Sequence, residues 1–270
     1  MQRRALVSYV METHGISERQ ACKLMRLSRS VFRYQAKPAD DGEIARLLQQ
    51  LAEQHPRWGF RKMWQWLRNA GYVWNHKHVR RIYRTLQLNL RRKPKKRLPS
   101  RQPQPLRQTE QTNQCWSADF MSDSLMSGRR FRTFNVIDDY SREGLWIEVD
   151  TSLPATRVLR VLEAIAAWRG YPQAIRTDNG PEFLAGKIAT WAQQHQVQLC
   201  FIQPGKPAQN AYIERFNRTY REEVLDAYCF ANLDEVRTIT AAWLDDYNHN
   251  RPHDTLNGMT PVQYTVANTR

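Results

Sequence analysis

The sequence predicts a mixed α/β sheet flanked by helices, preceded by an all-helical, strongly basic region. Three observations carry this. Residues 1 to 110 hold 25 basic and 7 acidic side chains, a net of +18, whereas residues 111 to 270 hold 16 and 19, a net of −3. Apolar residues recur at helical spacing up to residue 90, and from residue 114 short β-rich runs alternate with helical stretches. Between these regions lies RRKPKKRLPSRQPQPLRQ (91 to 108), which has four prolines, no acid and too few apolar groups to close a core.

With 270 residues, 41% hydrophobic and 25% charged, the chain has room for two or three small units with buried cores. No apolar run approaches the roughly 18 residues of a membrane span. Glu12 and His14 break up the start before a signal-type apolar stretch can form, so a cytoplasmic, nucleoid-associated protein with no membrane partner is expected. Cys22, Cys115, Cys200 and Cys229 lie far apart without a C-x-x-C pair and read as small apolar fillers. His76 and His78 form the only close histidine pair and read as surface residues, not metal ligands. A net charge of +15 points to a polyanionic partner.

The elements follow in order. Ser17-Glu18-Arg19-Gln20 is a capping box opening a short helix through Met25, and after a turn at Arg26-Leu27 a second cap, Ser28, starts a helix carrying Arg29 and Arg33. That layout over residues 1 to 38 is a helix-turn-helix, with Arg29 and Arg33 as candidate DNA contacts. Residues 43 to 90 form a second helical unit. It has apolar Ile44, Leu47, Leu48 and Leu51, then Trp58-Gly59 and a helix through Met63, Trp66 and Leu67 that ends before Gly71. A third helix follows the Asn75 cap, burying Val79, Ile82, Tyr83 and Leu86. Its other faces carry Lys77, Arg80, Arg81 and Arg84, and the last three are candidate phosphate contacts. The basic linker spans 91 to 111.

From 112 to 270 the predicted order is βββαβαβαα. Strands 114 to 121, 131 to 138 and 144 to 150 form an antiparallel meander. A helix follows over 154 to 168, then a strand at 173 to 178, a helix at 181 to 194, a strand at 196 to 202, and helices at 208 to 225 and 232 to 248.

Three acids occupy unusual places. Strand alternation puts Trp116, Ala118 and Phe120 on one face and Ser117 and Asp119 on the other, so Asp119 is an acid within a strand and needs a partner. Asp178 ends a strand just before a Gly-Pro turn, in RTDNGPEF, where a turn role and a ligand role both remain open. Glu214 lies beside the apolar stripe Ile213, Phe216, Tyr220 and Val224, with Arg218 four residues on and Arg221 seven. Asp138 and Asp139, in VIDDYSR, compete as metal ligands but fit turn caps.

Fifty-eight residues separate Asp119 from Asp178, and 35 separate Asp178 from Glu214, in TDNGPEF and GKPAQNAYIERFNRTYREEVL. With YNHNRPH and MTP near the end, this resembles the insertion-sequence transposases whose second reading frame (OrfB type) carries a retroviral-integrase-like Asp-Asp-(35)-Glu core. The resemblance implies a ribonuclease-H-like sheet and metal-binding, catalytic roles for Asp119, Asp178 and Glu214. It also implies Mg²⁺ as cofactor, with Mn²⁺ substituting. The activity implied is two-metal, 3'-end nicking and strand transfer on double-stranded DNA at element ends and target. Lys206, Asn210, Arg218 and Arg221 would lie near Glu214 and hold phosphates, while Asn179 and Gly180 shape the turn at Asp178. Such proteins act as multimers on DNA, fused to or beside a smaller first-frame protein. A non-catalytic DNA-binding regulator of transposition is the alternative. Arg251 and His253 divide evenly between packing the last helix and touching DNA.

Overall fold

The computed structural model describes residues 2–35, 41–90, 109–178, 180, 183, 186–203 and 210–268. Most of the expected linker, with Asn179 and Lys206, lies outside the described residues. The chain forms two compact units, Met1–Ile44 and Ala45–Arg270.

In the first unit, α1 (Gln2–His14), α2 (Glu18–Leu24) and α3 (Arg29–Arg33) enclose a small core of Val7, Ala21 and Cys22, backed by Val10, Met11, Ile16 and Phe32. Both expected caps form: Ser17 exchanges bonds with Gln20, and the Ser28 hydroxyl accepts from the Val31 amide at 3.3 Å. Arg26 takes a left-handed conformation (φ 49°) to reverse the chain between α2 and α3. Arg29 is exposed. Arg33 is not a bare cation, because its Nε donates to Glu18 at 3.0 Å, bracing α3 against α2.

The second unit takes in α4 (Gly42–Gln54) from Ala45 on, α5 (Phe60–Asn69) and α6 (His76–Thr85), and with the turn at Trp58 these bury Leu47, Leu48, Leu51, Trp58, Met63, Leu67, Val79, Ile82 and Tyr83. The Asn75 side chain caps α6 by accepting from the Lys77 amide at 2.8 Å. Gly71 follows α5 at φ +90°, a conformation that stops the helix where the sequence places its end.

The sheet has the order β3-β2-β1-β4-β5. Its strands are β1 (Trp116–Ser124), β2 (Arg130–Asp138), β3 (Gly144–Asp150), β4 (Ala174–Thr177) and β5 (Gln198–Phe201). The first three make the expected antiparallel meander; β4 pairs parallel to β1, and β5 parallel to β4. One face packs α7 (Ala155–Arg169) and α8 (Gly186–Gln194) through Trp116, Ala118, Phe134, Ile165, Phe183 and Trp191. The other face carries α9 (Ala211–Tyr220) and α10 (Leu233–His249) over Ile137, Phe131 and Val149.

Three differences from the sequence reading stand out. The helix expected over 208 to 225 is described from Ala211 and widens after Tyr220 into a π-helical turn, Arg221–Leu225, whose extra residue lets Tyr220, Val224 and Leu225 all bury. A further helix, α11 (Pro261–Asn268), closes the chain behind a reciprocal cap in which Thr260 and Gln263 exchange hydrogen bonds at 3.0 and 3.2 Å. Cys229 is exposed, not an apolar filler, while Cys22 and Cys115 are buried.

The helices α4 to α6 share this unit with the sheet through specific contacts. The Asn69 amide donates to the Gly258 carbonyl at 3.0 Å, His55 faces Asp246 at 3.7 Å, and the Gln65 stem fills the space where a Cβ on Gly258 would sit. Gly258, at φ +81°, is doubly committed to glycine. Gly144 is crowded in the same way by Phe216 and Leu244, and the Asn248 amide brackets its backbone with bonds at 2.9 and 2.8 Å.

Candidate active site

Strand alternation turns Asp119 away from the core side of β1 and toward α9, as the sequence pattern requires. β1 and β4 pair Trp116 with Ile175 and Ser117 with Arg176; continued by two residues, this parallel register sets Asp119 level with Asp178. Glu214 reaches the same region from the first turn of α9. Both Asp178 and Glu214 raise the pKa of Asp119. The largest cause is burial, and the Phe120 amide and Asn217 side chain oppose it by bonding the ionised form; the carboxyl is pushed up to about 6. Three acids from β1, the end of β4 and α9 therefore share one field.

The hydrogen bonds around Asp119 are specific. Its Oδ1 accepts from the Phe120 amide at 2.8 Å and its Oδ2 from the Asn217 side chain at 2.8 Å. Asn217 Oδ1 in turn accepts from the buried Asn135 amide of β2 at 2.7 Å. This chain fastens α9 to β1 and β2 within one turn of Glu214. The sequence reading missed it, although Asn217, three residues beyond Glu214, lies on the same helical face. Asp178 Oδ1 accepts from the Gly180 amide at 3.1 Å, a tight turn that holds the carboxyl at the strand end. Among the described residues Glu214 makes no ion pair, so the Glu214–Arg218 pairing that the spacing allows does not form.

The competing acids are committed elsewhere. Asp138 accepts from the amides of Tyr140, Ser141 and Asn113 at 2.8, 3.1 and 2.8 Å. Asp139 accepts from the Ser117 hydroxyl and from Arg176, both at 2.6 Å. Both are fully buried turn residues with their oxygens already bonded.

Among the candidate phosphate contacts, Arg80, Arg81, Arg84 and Arg218 are exposed, and Arg80 lies 6.0 Å from the Phe60 ring. Arg221 is tied down instead: it donates to Asp123 at 3.2 Å and to the Ser122 carbonyl at 2.9 Å, linking the π-helical turn to β1. Arg251 is buried, with Nη1 donating to both Glu223 oxygens at 2.9 and 2.7 Å, so it packs rather than projects. His253 stacks edge-on against Tyr247, and burial first, then surrounding cations, push its pKa down to about 3, keeping it neutral.

Two integrase core domain models match residues 109–207 and 195–261, and an HTH-like domain model matches 38–97. The chain is 41% identical over 261 residues to the insertion element IS407 uncharacterized 31.7 kDa protein of Burkholderia multivorans, covering 96% of this chain and 94% of that one. It belongs to the integrase-core family of insertion-sequence proteins, the OrfB-type transposases. An insertion element IS476 protein of Xanthomonas euvesicatoria is 39% identical, over 98% of this chain and 77% of its own length. A putative transposase InsK of IS150 from Escherichia coli is 24% identical, over 88% and 89%. Among solved structures, the cryo-EM simian T-cell lymphotropic virus intasome in complex with PP2A regulatory subunit B56 gamma superposes with a TM-score of 0.52 and 17% identity, over 81% of this chain and 73% of that chain. The fold is that of the integrase catalytic cores, the ribonuclease-H-like mixed sheet that the resemblance implied. No helix among the described residues is long and apolar enough to cross a membrane.

Proposed function

We propose that this family member is a DNA transposase performing metal-dependent 3'-end nicking and strand transfer at Asp119, Asp178 and Glu214. The observation that carries the reading is the shared field of these three acids, delivered by separate elements to one side of the sheet. Their donor chemistry fits Mg²⁺ or Mn²⁺, because carboxylates are hard oxygen ligands that add no positive charge. Among the described residues no three His, Cys, Asp or Glu side chains are gathered tightly enough to enclose an ion. Carboxylates that repel one another stand apart until a cation lies between them. Two such ions would supply Lewis-acid activation of the attacking oxygen and charge relief at the leaving oxygen.

The protein's own groups do the positioning. Asn217 and the Phe120 amide fix the Asp119 carboxylate, the Gly180 amide fixes that of Asp178, and the Asn135–Asn217 bond sets the depth at which Glu214 enters. Water as nucleophile gives the nick, and the freed 3'-hydroxyl gives the joined product, without a covalent protein intermediate. Arg29, Arg80, Arg81, Arg84 and Arg218 contact DNA phosphates, and the two DNA ends are brought together by a multimer, beside or fused to a first-frame protein. The test is a labelled element end with Mg²⁺. Wild type should yield a 3' nick followed by joined product, and Glu214→Gln should bind DNA yet yield neither. Binding by wild type without cleavage would leave the regulator reading.

A further inference from the structure

Lys62, on α5, has an unusual setting. Its neighbours include the guanidinium groups of Arg251 and Arg215, and burial first, then Arg251, push its pKa down to about 8. Two acids offset part of this, Glu223 by more than Arg215 adds and Asp254 by least. Glu223 already accepts two bonds from Arg251 and one from the Trp243 indole at 3.0 Å, and Asp254 is exposed. Among the described residues the side chains of Lys62 and Arg215 make no ion pair or hydrogen bond. Close by, the Nε2 atom of His253 is buried without a partner. A largely buried ammonium whose side chain has no bonded partner is costly, and such a group stands ready to receive an anion.

Lys62 also lines a cleft of about 790 Å³ between α5 and α6. Arg57, Arg61, Arg80 and Arg84 share its wall, Phe60 and Tyr83 supply its apolar surface, and among the described residues no acid lines it. Arg215 is the residue after Glu214 on α9. We infer that Lys62 and Arg215 form a phosphate-binding subsite that holds the DNA backbone beside Glu214, and that the α5–α6 cleft carries the strand to it. The inference rests on the transposase reading for the identity of the polyanion and assigns the α5–α6 helices a share in the active site. A phosphate here supplies the charge that Lys62 and Arg215 lack, and its oxygens accept what these cations have to donate.

The test uses the full chain without divalent metal. Fluorescence anisotropy is read with a labelled element-end duplex and an unrelated duplex of equal length, over a range of salt. Lys62→Gln and Arg215→Gln should each weaken binding to both duplexes by about tenfold and lower the slope of log affinity against log salt by about one. Lys62→Arg should restore most of it, and Lys187→Gln, at an exposed position of α8, should change nothing. Wild-type affinity and slope in both Gln variants would overturn the subsite while leaving the transposase reading intact, as would a loss confined to the element-end sequence. If Lys62→Gln fails to fold, the exposed Arg215 decides alone. Should wild type never cut DNA while the Lys62 and Arg215 slopes still fall, the transposase reading fails and the subsite stands.

Discussion

Replacing Arg251 with Met isolates the contact that joins the π-helical turn after α9 to the segment just beyond α10. Arg251 is 6% exposed and its Nη1 atom lies 2.9 and 2.7 Å from the two Glu223 oxygens. Its guanidinium also lies 6.0 Å from the Trp58 ring and 5.7 Å from Tyr247. Methionine keeps much of the volume but strands Glu223 with a single donor, Trp243, in a setting where breaking a buried pair costs ~3–5 kcal/mol. The ring contacts, at the limit of useful distance, add a few tenths at most to ~1 kcal/mol. Lys62 also feels the charge of Glu223 and recovers part of the loss, so the expected destabilisation is ~3 kcal/mol. In a chain of this size that lowers Tm by roughly 6–12 °C. Urea titration followed by circular dichroism gives the number directly. A double change with Glu223→Gln should be milder than the sum of the single changes by ~1–3 kcal/mol. A single-variant loss below ~1 kcal/mol, or strict additivity, would refute the claim that this pair is a buried clasp.

Three further outcomes are expected. Lys62→Met should raise stability at pH 7 by ~1–2 kcal/mol; because the native pKa is depressed to about 8, the unfolded chain binds the extra proton between about 8 and 10.5, so wild type gains on the variant as pH rises through that window. Melts at pH 7 and pH 10 check this, and a gap that widens with pH would contradict it. Millimolar Mg²⁺ should raise the Tm of wild type but not of Asp119→Asn. Without metal, Asp119 contributes stability below its unfolded pKa that is lost as pH rises toward about 6, so the metal effect should be larger at pH 7.5 than at pH 5; equal shifts in both proteins would place the cation elsewhere. Asn217→Leu leaves the Asn135 amide and Asp119 short of partners and should cost ~1–3 kcal/mol while reducing joined product more than DNA affinity; parallel losses in both assays would deny Asn217 a positioning role.

The pattern of the sheet was legible because it depends on local alternation: Asp119 turns away from the Trp116–Ala118 face just as a period of two demands. The ends of α2, α3, α5 and α6 were legible because Ser17, Ser28, Gly71 and Asn75 act on backbone groups within a turn of themselves. What stayed hidden spans long separations. The Asn135–Asn217 bond crosses 82 residues, and nothing in either local pattern marks one amide as the partner of the other. In the sequence Arg251 divides evenly between packing and DNA contact because arginines are seldom buried, and Glu223, in the π-helical turn after α9, explains its place. The cap of α11 was readable in Thr260-Pro261-Val262-Gln263, a capping box with proline at the first position, but its short helix has little apolar periodicity to draw attention.

The widened turn after Tyr220 has a consequence for length tolerance. Each residue added to or removed from a helix rotates everything beyond it by about 100°. Removing Arg221 or Glu222 would relax the bulge to ordinary winding and shift Glu223 off the Arg251 clasp, even if every remaining side chain kept its chemistry. This segment should therefore accept exchanges of residue type more readily than changes in spacing.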